Sequence, residues 1–109
     1  MTSGFEKSGT VLTVHLPAEL DHPASDEIRR ESDRIIGHDY IKNMIFDFSE
    51  TVFMDSSGIA VVLRVKKRME ETDGDVFLLD PAPQCARVLR TSGIERFVAI
   101  KFTEGKAAR

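Results

Sequence analysis

The regular exchange of two hydrophobic periods constrains this chain most. Val11–Leu16 alternates, with Leu12, Val14 and Leu16 on one face and Thr13 and His15 on the other, which is the pattern of a strand. Pro17–His22 is a polar connection. From Pro23, which suits a first helical turn because its missing N–H has no partner there, Ala24, Ile28, Ile35 and Ile36 recur at helical spacing. Gly37 is expected to end that helix near Ile36. Ile41–Phe48 then carries Met44, Phe46 and Phe48 on one face and Ile45 on the other, which predicts a central strand covered on both sides. A second helix is expected to follow Gly58 and run to about Thr72. Val61, Val62, Val65 and Met69 form its inward stripe, and Arg64–Arg68 a solvated basic face. Asp73-Gly74 is a turn, Val76–Leu79 a buried strand, and Pro81 and Pro83 open a third helix that ends where Gly93 suits a left-handed cap. Phe97–Phe102 is the last strand. Strand and helix in alternation predict an α/β fold, with a mostly parallel sheet of four to five strands and alternating helices packed on it.

Composition narrows the function classes. At 109 residues the chain is expected to form a single domain, 1–109. Fifteen basic against eighteen acidic residues leave a net charge of −3, with no electrostatic footprint for nucleic acid. The longest apolar run, Gly58–Leu63, falls well short of the ~20 residues of a membrane span, and residues 1–10 lack the apolar stretch of a secretory signal. The lone Cys85 has no partner for an internal disulfide and suits a reducing cytoplasm. A cytoplasmic protein without membrane insertion is expected.

In open α/β sheets, sites gather beyond the carboxyl ends of the strands. Two polar clusters fall there: Glu19-Leu20-Asp21-His22 and Asp55-Ser56-Ser57-Gly58. The second holds more oxygens than one helix cap requires, and a phosphate on a serine there would face free N–H groups and the positive end of the helix dipole. A serine before an amphipathic helix is, equally, an ordinary cap, and Asp21 and His22 read as turn and cap residues. Enzyme readings fare worse. The Gly-x-Ser-x-Gly elbow is missing around Ser56, His15, His22 and His38 lack triad context, and there is no phosphate-cradling glycine loop with a lysine. No metal-ligand spacing is found, and no cofactor is expected. A phospho-aspartate receiver built on Asp55 would need an acidic pair and a lysine, which Glu19, Asp21 and Lys101 mimic loosely.

Glu19-Leu20-Asp21-His22 after an alternating strand, Phe53-Met54-Asp55-Ser56-Ser57-Gly58 opening a helix, and Ser92-Gly93-Ile94 closing a later one resemble the motifs of bacterial anti-sigma factor antagonists of the STAS superfamily. The resemblance spans about residues 5–103 and implies a single STAS-like domain with no enzymatic activity of its own. In that family the unphosphorylated antagonist binds an anti-sigma factor that is also an ATP-dependent serine kinase, and sigma factor is released. The kinase phosphorylates the serine directly after the motif aspartate, here Ser56, and a PP2C-type phosphatase removes the phosphate. Glu19, Asp21, His22, Asp55, Ser57, Gly58 and Ile59 match the surrounding positions and are carried over as partner contacts. Residues alone leave Ser56 and Ser57 both open as acceptor, and leave a weak homodimer open.

Two departures stand out. Ala18 occupies a position where many members have glycine, and the tail at 103–109 is short where the family usually ends in another amphipathic helix. The runner-up reading is a STAS accessory or docking subunit of a membrane transport or stress-signalling assembly.

Overall fold

The computed structural model describes residues 4–103. Strand β1 (Gly4–Ser8) turns back into β2 (Val11–His15); β3 (Glu19–Leu20) leads into α1 (His22–His38), followed by β4 (Asn43–Asp47), β5 (Phe53–Met54) and α2 (Ser56–Glu70). Strand β6 (Asp75–Leu79), α3 (Pro83–Ser92), a 3-10 turn at Ile94–Arg96 and β7 (Ala99–Lys101) complete the chain. The main sheet has the order β1-β2-β4-β6-β7, with β1 antiparallel to β2 and every other pair parallel. Strands β3 and β5 form a separate two-stranded parallel pair. This is the expected α/β architecture, and β1 and the β3–β5 pair are additions to the sequence reading.

The register explains the core. Leu12 pairs with Met44 and Met44 with Val76, while Val14 pairs with Phe46 and Phe46 with Leu78. These six side chains all lie on one face and are buried. Ile28 of α1, Val61, Val62, Val65 and Met69 of α2, and Cys85 and Leu89 of α3 pack onto that same face. Each fully buried Leu, Phe or Met contributes about 1.5–3 kcal/mol relative to exposure, so this layer supplies most of the cohesion.

The opposite face differs from the expectation. Val11, Ile45, Phe77 and Leu79 lie there half-buried beside Asn43 and Lys101, and line a shallow groove of about 360 Å³. Among the described residues no helix covers the face on which Ile45 sits, and its apolarity there reflects packing against its strand neighbours. Two boundaries shift as well. Helix α1 runs through Gly37 to His38 and stops at Asp39, whose N–H donates to the Ile35 carbonyl. The last strand is only Ala99–Lys101, because Gly93, at φ 79°, ends α3 and the chain takes a 3-10 turn before it straightens. The conformation of the tail falls on 104–109, outside the described residues.

A charged clamp crosses the uncovered face. His15 Nδ1 is 2.8 Å from Asp47 Oδ2 and His15 Nε2 is 2.7 Å from Glu6 Oε1, joining β1, β2 and β4. Ionised carboxylates only accept, so the ring satisfies both bonds as a donor only when the imidazole is protonated. The bonds to Glu6 and Asp47 accordingly raise the His15 pKa above its ordinary value, against a small opposing effect of burial. An unfolded histidine titrates near 6.5, so the clamp's contribution is whole below about pH 6.5 and is lost as pH rises through the higher folded value. Melting temperature is expected to fall between pH 6 and 8 in the wild type, and that part of the fall to disappear in His15→Ala. Calorimetric melts across this window check it; a slope retained in the variant assigns the effect elsewhere.

Candidate functional site

The N-terminus of α2 is built by its own sequence. Asp55 is the N-cap, extended at φ −117°, and its side chain accepts the Ser57 N–H at 2.9 Å. The Ser57 hydroxyl also donates to Asp55, and Ser57 Oγ lies 3.1 Å from Ser25 Oγ of α1. The Ser57 hydroxyl bond, with support from the Ser57 N–H, the His22 charge and the Gly58 N–H, holds the Asp55 carboxyl below the ordinary carboxylate range despite some burial. Capping therefore falls to Asp55 and not to a serine. Ser56, the first residue of the helix, is exposed, and its hydroxyl has no hydrogen-bond partner among the described residues. The two adjacent serines are inequivalent: Ser57 is partly buried and engaged, whereas Ser56 is free.

Main-chain bonds bring the other cluster alongside. Glu19 pairs with Phe53 and Leu20 with Met54, and the Ala18 carbonyl accepts from Val52 N–H at 2.8 Å and Phe53 N–H at 3.2 Å. Asp55 N–H donates to the Leu20 carbonyl at 3.4 Å. Among non-glycine residues described, only Asp73 and Asp80 have positive φ, so alanine at position 18 costs no backbone strain. Gly58 lets the two loops close: a Cβ there would lie 2.8 Å from Leu20 Cδ2 and 3.0 Å from Met54 Cε.

Of the expected site residues, Glu19, His22 and Ser56 are exposed, and Asp21, Asp55, Ser57 and Ile59 are partly so. Asp21 caps α1 by accepting the Ala24 N–H at 3.1 Å. Gly58 is buried, and its contribution is to seat the neighbouring loop. Three further apolar surface residues were not among the expected partner contacts. Val52 (66% exposed) and Phe53 (43%) precede the Asp55 cap in the chain, and Leu63 (40%) lies further along α2. Ser56, Ile59 and Leu63 stand at i, i+3 and i+7, one face of the helix. The available signal was Leu63, an apolar residue outside the inward stripe.

The basic run is not merely solvated. Arg64 and Arg68 reach across to Asp33 of α1 at 3.0 and 3.1 Å, joining the helices beside a cleft of about 370 Å³. Lys101 lies on the uncovered sheet face, 4.6 Å from the Phe77 ring centroid, so the receiver-like arrangement is not assembled. Among the described residues, no three His, Cys, Asp or Glu side chains converge to hold a metal ion, and no helix is long and apolar enough to cross a membrane.

Residues 4–107 match the STAS domain, which is nearly the whole chain. The chain belongs to the STAS domain family. Among its relatives, the anti-sigma F factor antagonist of Paenibacillus polymyxa is 33% identical over 97 residues, covering 89% of this chain and 83% of that protein. The structure of the anti-sigma factor antagonist SpoIIAA in its unphosphorylated form superposes with a TM-score of 0.86 at 28% identity, covering 98% of this chain and 92% of that one. The Bacillus cell fate determinant SpoIIAA in the phosphorylated form gives a TM-score of 0.77 at 28% identity, covering 98% of this STAS chain and 96% of that one.

Proposed function

We propose that this STAS protein is an anti-sigma factor antagonist, switched off by phosphorylation of Ser56. The observation that carries this reading is the free, exposed Ser56 hydroxyl at the first turn of α2, beside a Ser57 hydroxyl already engaged with Asp55. The names of its relatives, and the existence of SpoIIAA in unphosphorylated and phosphorylated forms, support it. The unphosphorylated surface, with Val52, Phe53, Ile59 and Leu63 as apolar contacts and Glu19, Asp21 and His22 as polar ones, docks the anti-sigma factor. That partner is an ATP-dependent serine kinase in the cytoplasm, which transfers the γ-phosphoryl group to Ser56 Oγ. A PP2C-type phosphatase restores the hydroxyl.

The chain needs no catalytic group for this cycle, because ATP and the transfer chemistry come with the kinase. A phosphoserine carries about −1.5 to −2 charge at pH 7. At position 56 it joins Glu19, Asp21 and Asp55 at one end of the fold, so a partner surface must desolvate concentrated negative charge. The helix N-terminus accommodates the same charge within the free protein. The alternative of a docking subunit in a transport or stress-signalling assembly is not favoured, since relatives of this chain are named anti-sigma F factor antagonists.

With ATP and the recombinant kinase, mass spectrometry is expected to find one phosphate, on Ser56. Ser56→Ala should abolish it and Ser57→Ala retain it. Phosphate persisting in Ser56→Ala and lost from Ser57→Ala would move the acceptor by one residue.

A further inference from the structure

The hydroxyl chain behind Ser56 has a defined direction. Asp55 is ionised and can only accept, so the single proton of the Ser57 hydroxyl goes to Asp55. Ser57 Oγ and Ser25 Oγ lie 3.1 Å apart, and with the Ser57 proton committed to Asp55 that bond can close only if the Ser25 hydroxyl turns to donate, giving the order Ser25, Ser57, Asp55. Ser25 is only 2% exposed, so little water competes for that bond. Ser25 lies in the first turn of α1, four residues after Asp21, and Ser57 in the first turn of α2. The chain of bonds thus ties together the two helix ends that carry the two polar clusters.

We propose that Ser25 is a positioning residue for phosphate transfer to Ser56, acting through Ser57 to fix the first turn of α2. The Ser56 side chain has no hydrogen-bond partner among the described residues, so its orientation follows from the backbone between Asp55 and Ser57. That backbone is held by the Asp55 cap, and the cap by Ser57. Without the Ser25 donor, Ser57 has room to turn, because Ser25 and Ser57 both border the 370 Å³ cleft between α1 and α2. The acceptor oxygen then samples several directions. Phosphoryl transfer demands that nucleophile and leaving group stand in line, so lost alignment slows the transfer step more than it weakens docking.

This inference rests on Ser56 as the acceptor, and the test separates the two. Steady-state phosphorylation is measured with ATP and the recombinant anti-sigma factor kinase, on wild type, Ser25→Ala, Ser57→Ala and the double variant. In parallel, carbon-detected NMR follows the Asp55 carboxyl titration, and calorimetry follows melting. The expected result for Ser25→Ala is a kcat about tenfold lower, equivalent to one net hydrogen bond, with KM within about twofold. The Asp55 titration should move upward, and the loss should not deepen when Ser57→Ala is added, because both act through one chain. Wild-type protein that takes no phosphate on Ser56 rejects the acceptor reading and this inference with it. Wild-type protein that takes phosphate while Ser25→Ala does so at the same kcat overturns this inference alone. Additive losses in the double variant also overturn it.

Discussion

Ser56→Asp is expected to weaken anti-sigma factor binding roughly a hundredfold, about 2.7 kcal/mol, while leaving the melting temperature nearly unchanged. The two halves of that result have separate causes. Within the free protein, an anion at the first turn of α2 faces unsatisfied N–H groups and the positive end of the helix dipole, worth about 0.3–1 kcal/mol of stabilisation. Ser56 is exposed, so the larger side chain displaces no core atom. In the complex, that same carboxylate must lose water next to the charge of Asp55 and Glu19, and a badly paired charge in an interface costs about 2–5 kcal/mol. Titration calorimetry measures the first half and differential scanning calorimetry the second. Binding as tight as wild type would remove charge as the basis of the switch. A melting point lowered by more than about 5 °C would make the loss of binding a consequence of unfolding.

Leu20→Ala is expected to cost about 2–4 kcal/mol of stability and to weaken partner binding as well. Leu20 is 2% exposed, and its Cδ2 would lie 2.8 Å from a Cβ built on Gly58, so it fills the space where β3 meets the first turn of α2. Truncation leaves a cavity between the two polar clusters. With about 4–8 °C lost per kcal/mol in a domain of this size, the melting point should drop by some 8–32 °C. Leu89→Ala is the control: it is equally buried but lies in α3. Measured well below both midpoints, Leu20→Ala should bind the anti-sigma factor more weakly than Leu89→Ala does. Equal affinities would mean that Glu19 and His22 are held in place without help from Leu20.

The parts legible in the sequence are those where many residues repeat one constraint. Leu12, Val14 and Leu16 announce a strand together, as Val61, Val65 and Met69 announce a helix, and Gly93 marks a left-handed cap alone because few residues adopt that conformation. The motif Asp55-Ser56-Ser57 was visible too, although the division of labour in it required geometry: Asp55 caps, Ser57 is held and Ser56 is left free. Strand β1 was hidden because Gly4–Ser8 contains one apolar residue, Phe5, and is fixed by pairing with β2 and by the His15 clamp. The β3–β5 pair is two residues long, too short for any period to register. Ser25 and Ser32 are buried against the grain of their polarity, and nothing in one sequence separates such serines from the exposed majority. The uncovered sheet face was misjudged because Ile45 satisfies itself with strand neighbours, which look the same in sequence as a covering helix.

The short β3–β5 ladder also leaves the surface beside the two polar clusters free to vary. The join between the two loops is made by carbonyls and N–H groups of Ala18, Leu20, Val52, Phe53 and Asp55, none of which depends on side-chain identity. The exposed side chains of Glu19, Val52 and Phe53 are thereby released from holding the loops together. Those three side chains can therefore be exchanged while the main-chain join, and with it the position of the Ser56 hydroxyl at the start of α2, stays where it is.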